Sequence, residues 1–162
     1  GVAASASIVA DRCDDAVERV VEANTLISGI GFESGGCAAA HAIAVAYTHG
    51  KEVHGNCLHG ERVAMGTRAH WMMGNNEDAR KAAEFFARVG LPIHFGQLSM
   101  TKEQTEDIDT VAEASMGTGI IHNMPMTVTT ELVRDSMLSA NELGEVVASE
   151  IGDEAYRRLQ GE

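Results

Sequence analysis

The chain has 162 residues, 44% hydrophobic and 22% charged, a length and balance that fit one folded domain with a sizeable core and exclude disorder over most of its length. Its 24 acidic residues face only 12 basic ones, and the resulting net charge of -12 repels phosphate backbones, which makes nucleic acid a poor partner. No apolar run approaches the ~20 residues a bilayer span needs, and the opening GVAASASIVADR lacks the basic start and long apolar stretch of a secretory leader, so no membrane association is expected.

Only two prolines, Pro92 and Pro125, interrupt stretches rich in Ala, Glu, Arg, Met and Leu, and no strand-like alternation persists. The chain therefore reads as all-α, a single helical domain over 1–162. A first helix is predicted from Asp14 and Asp15, whose carboxylates suit a helix amino terminus, through Val17, Val20, Val21, Leu26 and Ile27 to a stop near Gly29–Gly31. Ser34 would cap a second helix running from Gly35 to about Tyr47. Its Gly35, Gly36, Ala38, Ala39, Ala40 and Ala42 carry so little bulk that neighbouring helices can come close. A loop with His49, Gly50, Gly55 and Asn56 leads to a third helix, about Gly60 to Met73, ended by Asn75 and Asn76, which also cap the next. That fourth helix, about 77–89, stops at Gly90 before Pro92, and further helices are predicted at about 103–116, 128–149 and 153–159. Met65, Met72 and Met73 suit either core or subunit contacts, and the acid excess gathers in residues 101–162, the expected solvated surface.

Chemistry-bearing residues are few. The three cysteines, Cys13, Cys37 and Cys57, form no CxxC pair; a reducing, cytoplasmic setting and a role as small buried hydrophobes are expected for them. Of the seven histidines, five fall within 41–70, without HExxH or another complete zinc signature. His41 places a polar ring among alanines, which is costly unless it faces a partner. His59 opens the following helix beside Gly60, where little bulk blocks access. With an oxygen ligand from elsewhere, these two imidazoles would make a three-ligand divalent site with a position left open for substrate. The alternative is that each is a surface or hydrogen-bonded residue.

Longer motifs surround these residues: EANTLISGIGFESGGCAAAHAI at 22–43, LHGERVAMGT at 58–67 and IIHNMP at 120–125. In that order and separation they resemble the carboxyl-terminal helical domain of the glycerol dehydrogenases, within the iron-containing, or group III, alcohol dehydrogenase family, whose fold is of the dehydroquinate synthase-like kind. The resemblance covers nearly the whole chain, more loosely after residue 125. It implies an α/β nucleotide-binding domain ahead of the helical one, with the active site in the cleft between them. It implies further that His41 and His59 are ligands of a catalytic divalent ion, zinc in glycerol dehydrogenases with iron as the alternative, and that Phe32 lines the cleft near the nicotinamide ring. The implied activity is NAD-dependent, metal-assisted oxidation of a secondary alcohol, a small polyol such as glycerol.

Departures from the family pattern matter as well. Ala44 and Val45 stand where the family commonly has His-Asn, so a substrate contact is expected to differ. The family's third metal ligand is an aspartate upstream of every matching residue, and Asp11, Asp14 and Asp15 are only weak substitutes for it. His49, His54, Lys51 and Arg62 are expected to be solvated, whereas His122 matches a family position with either a helix-end or a substrate role. No phosphate-cradling glycine loop is present, and the residues before His41 are too few for a doubly wound sheet. The expectation is a chain, cut ahead of Gly1, that is inactive alone and works as a homo-oligomer or with a complementing NAD-binding chain. A helical module for oligomerisation or small-ligand binding, without catalysis, is the competing expectation.

Overall fold

The computed structural model describes residues 2–50, 53, 57–74 and 77–161. Among them every regular element is helical, as the composition predicts. The chain divides into two compact units, Gly1–Gly36 and Cys37–Glu162.

The first unit holds α1 (Val2–Val9), α2 (Asp15–Glu22) and α3 (Ser28–Gly35), with a π-helical turn at Ala23–Ile27 linking the last two. Asp14 caps α2: its Oδ1 accepts from the amides of Ala16 and Val17 at 3.1 and 3.4 Å. Its Oδ2 accepts from the buried Ser7 hydroxyl of α1 at 2.7 Å, so one carboxylate starts α2 and ties it to α1. The helical run does not stop near Gly29–Gly31 as the sequence suggests. It continues to Gly35 and breaks at Gly36, where φ is 67°, because a helix interior tolerates glycine whereas a left-handed residue ends it.

The second unit holds α4 (Ala39–Ala46), α5 (His59–Met72), α6 (Glu77–Val89), α7 (Thr105–Met116), α8 (Thr130–Ile151) and α9 (Glu154–Gln160). The predicted second helix thus starts later than Gly35, with Ala38 as its extended N-cap rather than Ser34. The proposed caps Asn75 and Asn76 lie outside the described residues. Helix α4 is the centre of the core, with Ala39, Ala42, Ile43, Ala46 and the following Tyr47 buried against Met65, Ala69, Ile108, Val111, Ile121 and Met137. Met65 and Met73 are therefore core side chains. A Cβ at Gly66 of α5 would run into the Ala40 carbonyl of α4, so the bare glycine is what allows these two helices to touch backbone to backbone.

One buried cation fixes α5 against the rest of the unit. Arg68 donates through both terminal guanidinium nitrogens, to the carbonyls of Ile93 and of Ala140 in α8, while Gly144 leaves the room that Ile93 occupies. Burial pulls the Arg68 pKa down to about 10, and the neighbouring Tyr47 opposes the fall; the group remains charged at neutral pH. Asn141 of α8 accepts the Phe95 amide at 2.7 Å, and Gln97 accepts the Ile93 amide at 2.6 Å, so the segment between α6 and α7, with its 3-10 turn at Phe95–Leu98, is also held by side chains.

Candidate metal centre

Helices α4 and α5 each contribute one histidine from their first turn. His41 is half-buried two residues into α4, and His59, exposed, is the first residue of α5. Their ring centroids are 5.9 Å apart, with planes tilted by 47°. The close approach at Gly66 and Ala40 places His41, the neighbour of Ala40, alongside α5. Thus the partner demanded by a polar ring among alanines is a second imidazole.

The electrostatics of the pair favour the neutral form of His41. Its pKa is lowered first by burial, because the charged ring loses hydration, and second by the proximity of His59. A neutral imidazole is the form that can ligate a metal. Both rings also lie at helix amino termini, where unpaired amides favour a negatively charged oxygen nearby.

The donors suit a divalent ion. Two imidazoles bound to one zinc at ~2.0–2.1 Å per bond in a tetrahedral array place their ring centroids about 5 Å apart, and the observed 5.9 Å is within a small side-chain adjustment of that separation. No cluster of three or more potential ligands occurs among the described residues, so the pair is a two-nitrogen donor set. Asp14 is engaged as the cap of α2 and Asp11 sits in the turn after α1 at a φ of 51°.

Other residues singled out in the sequence fall in different places. Phe32 is an exposed residue of α3, in the first unit, with 66% of its surface accessible. His49 and His122 are exposed at the ends of short 3-10 turns, whereas His54 and Lys51 lie outside the described residues. Arg62 is not simply solvated: it is half-buried, and its Nε has no hydrogen-bond partner among the described residues. The cysteines correct another expectation, since Cys13 is exposed and Cys37 and Cys57 are only half-buried; all are free. Cys13 occupies the turn between α1 and α2, which has no core to enter. Neither His41 nor His59 lines the cleft of about 480 Å³ formed by residues including His94, Ser99, Asp153 and Gln160.

Sequence reasoning missed the role of Glu61. Its Oε2 accepts the Leu58 amide at 2.7 Å, which caps the turn carrying His59, and its Oε1 accepts from Gln160 of α9 at 2.9 Å. Spacing offered a hint, because a glutamate three residues after an N-cap is half of a capping box. Leu58 hid it, having no side-chain acceptor for the other half. Asn123 was missed too; its amide donates to the Cys37 carbonyl at 2.7 Å and pins the chain entering α4.

No family model matches the chain. Individual proteins do match: it is 40% identical over 147 residues to a glycolaldehyde reductase of Halobacterium salinarum, covering 89% of this chain and 40% of that protein. Against a glycerol dehydrogenase of Citrobacter freundii it is 42% identical over 146 residues, covering 88% and 39% of the two chains. The crystal structure of a probable glycerol dehydrogenase from Sinorhizobium meliloti superposes with a TM-score of 0.82 at 38% identity, over 89% of this chain and 41% of that one. Fold and likeness together match the chain to an all-helical part of these longer proteins. Over nearly nine tenths of its length the chain is thus similar to part of proteins named glycerol dehydrogenase. It spans about 40% of the length of the curated relatives it matches.

Proposed function

We propose that this chain is the metal- and substrate-binding helical part of an NAD-dependent dehydrogenase acting on a small polyol, with His41 and His59 as ligands of a divalent ion, zinc foremost. The single observation that carries the reading is the facing pair of imidazoles, 5.9 Å apart, on helix ends that the Gly66–Ala40 approach holds together. Such an ion supplies Lewis acidity toward a substrate oxygen, lowering the pKa of a hydroxyl so that hydride can leave the adjoining carbon.

The chain's own residues contribute binding and electrostatics. His41 offers a nitrogen kept neutral by burial, and His59, exposed, remains reachable from solvent. The amide groups at the starts of α4 and α5 favour the negative charge that develops on oxygen. Val45, exposed where the family commonly presents asparagine, offers a substrate no hydrogen bond, which points to a hydroxylated compound held through fewer polar contacts than glycerol. The relatives named for glycerol and for glycolaldehyde bracket that class at three and two carbons. NAD is taken by a nucleotide-binding domain, and turnover is expected only with such a domain joined to this chain or supplied by another.

Metal analysis is the test. The 162-residue chain is expected to retain zinc or iron near one equivalent after gel filtration, and to lose it when both His41 and His59 are replaced by alanine. Absence of metal under every loading condition would overturn the reading in favour of a helical module without catalysis.

A further inference from the structure

We propose that Glu61 is the positioning residue of the histidine pair, holding the first turn of α5 through a carboxylate that bridges Leu58 and the carboxyl-terminal helix α9. The inference rests on the reading of His41 and His59 as ligands and deepens it. His59 is exposed, so packing does little to fix its ring, and its direction depends on the backbone of the turn it opens. That turn has an unusual start. Helix N-caps ordinarily supply a side-chain oxygen to the free amides of the first turn, but the N-cap here is Leu58, which is 74% exposed and has none to offer.

Glu61 compensates from within the helix. One carboxylate oxygen accepts the Leu58 amide at 2.7 Å and so closes a ring of contacts around His59 and Gly60. The other accepts from Gln160 at 2.9 Å, across 99 residues of sequence. The far anchor is itself fixed. Gly90 ends α6 at a φ of 81°, and a Cβ there would collide with the Ala155 carbonyl and Leu159, so α9 lies directly on the end of α6. Tyr156 of α9 donates its hydroxyl to the Gln97 carbonyl at 2.5 Å. With one oxygen of Glu61 on the Leu58 amide and the other on Gln160 of α9, the start of α5 is held from two sides, and the backbone that carries the exposed ring of His59 is restrained.

The experiment uses Glu61→Ala, Glu61→Gln and Gln160→Ala in the 162-residue chain, with two readouts. One is metal-free: the proton nuclear Overhauser contact between the His41 and His59 rings. The other is zinc affinity by competition with a chromophoric chelator. Glu61→Ala is expected to lose the ring contact and to weaken zinc binding about 10-fold at unchanged helical content. Glu61→Gln is expected to restore both, because its amide oxygen still accepts the Leu58 amide while Gln160 turns its own oxygen toward the new NH2. Gln160→Ala should fall between them. Should Glu61→Ala fail to fold, the Gln160→Ala and Glu61→Gln chains decide alone, the first loosening the ring contact and the second keeping it. A ring contact and zinc affinity untouched by Glu61→Ala, or Glu61→Gln as damaging as the alanine, would overturn the proposal. A wild-type chain with the ring contact but no zinc affinity overturns the metal reading only, and dependence of that contact on Glu61 then decides the positioning role.

Discussion

The two units of the chain are both helical but are stabilised in different ways. In Gly1–Gly36 the helices leave Ile8, Val21, Leu26, Ile27, Ile30 and Phe32 more than half exposed, and α2 and α3 bury no residue. In Cys37–Glu162 the apolar residues close into a core around α4, and even an arginine is taken inside with its carbonyl partners. Helix α2 of the first unit shows a helical apolar period as plainly as the helices of the second. The difference teaches that periodicity announces a helix without saying what its apolar face meets, and that the order needed to hold two imidazoles in register comes with the core.

The largest expected effect follows directly from this contrast. Amide hydrogen exchange should be slower in α5 and α8 than in α2 and α3 by about 10³-fold, since segments with few buried contacts open locally at little cost. Equal protection in the two units would break the comparison. Next comes Gly66→Ala, which puts a methyl group into the Ala40 carbonyl and must drive α4 from α5. A loss of about 3 kcal/mol in denaturant stability is expected, together with loss of the contact between the histidine rings. Asp14→Ala in the first unit removes the cap of α2 and the acceptor of Ser7, and should cost less than Gly66→Ala, read as faster exchange in α1 and α2 with the melting of the second unit unchanged.

The smallest effect is one of pH. His70 and His94 both have pKa values lowered by burial, the latter against the opposing pull of Glu145 and Asp153. A folded-state value below the unfolded one, near ~6.5 for histidine, means that the unfolded chain takes up protons first. The stability these residues contribute is therefore present above about pH 6.5 and declines as pH falls through their lower folded values. Melting temperature should drop between pH 7 and pH 5, and replacing both with glutamine should flatten the slope; an unchanged slope would remove them as its cause.

Much of the second unit was legible in the sequence. The predicted fourth helix, 77–89, matches α6, because Gly90 ahead of Pro92 is strong punctuation, and the three that follow are placed within about two residues of α7, α8 and α9. His41 was legible for a local reason, a polar ring in an alanine run, and the structure supplies the partner that reason required. Other features depend on contacts distant in sequence. Nothing near Arg68 foretells that it will be buried on the carbonyls of Ile93 and Ala140, and nothing near Glu61 foretells Gln160. The glycines misled in the opposite direction: Gly29 and Gly31 read as a stop, but they meet no backbone strain inside the helix, and the true break is Gly36, where φ turns positive.

The proposed pairing of His41 and His59 on one divalent ion has a direct structural consequence. Crystals of the 162-residue chain grown with one equivalent of zinc, with diffraction collected on either side of the zinc absorption edge, test it most directly. An anomalous peak within bonding distance of both imidazoles, ~2.0–2.1 Å from a nitrogen of each, is the predicted result. A peak confined to other residues, or none at this pair while zinc is present in the crystal, would contradict it.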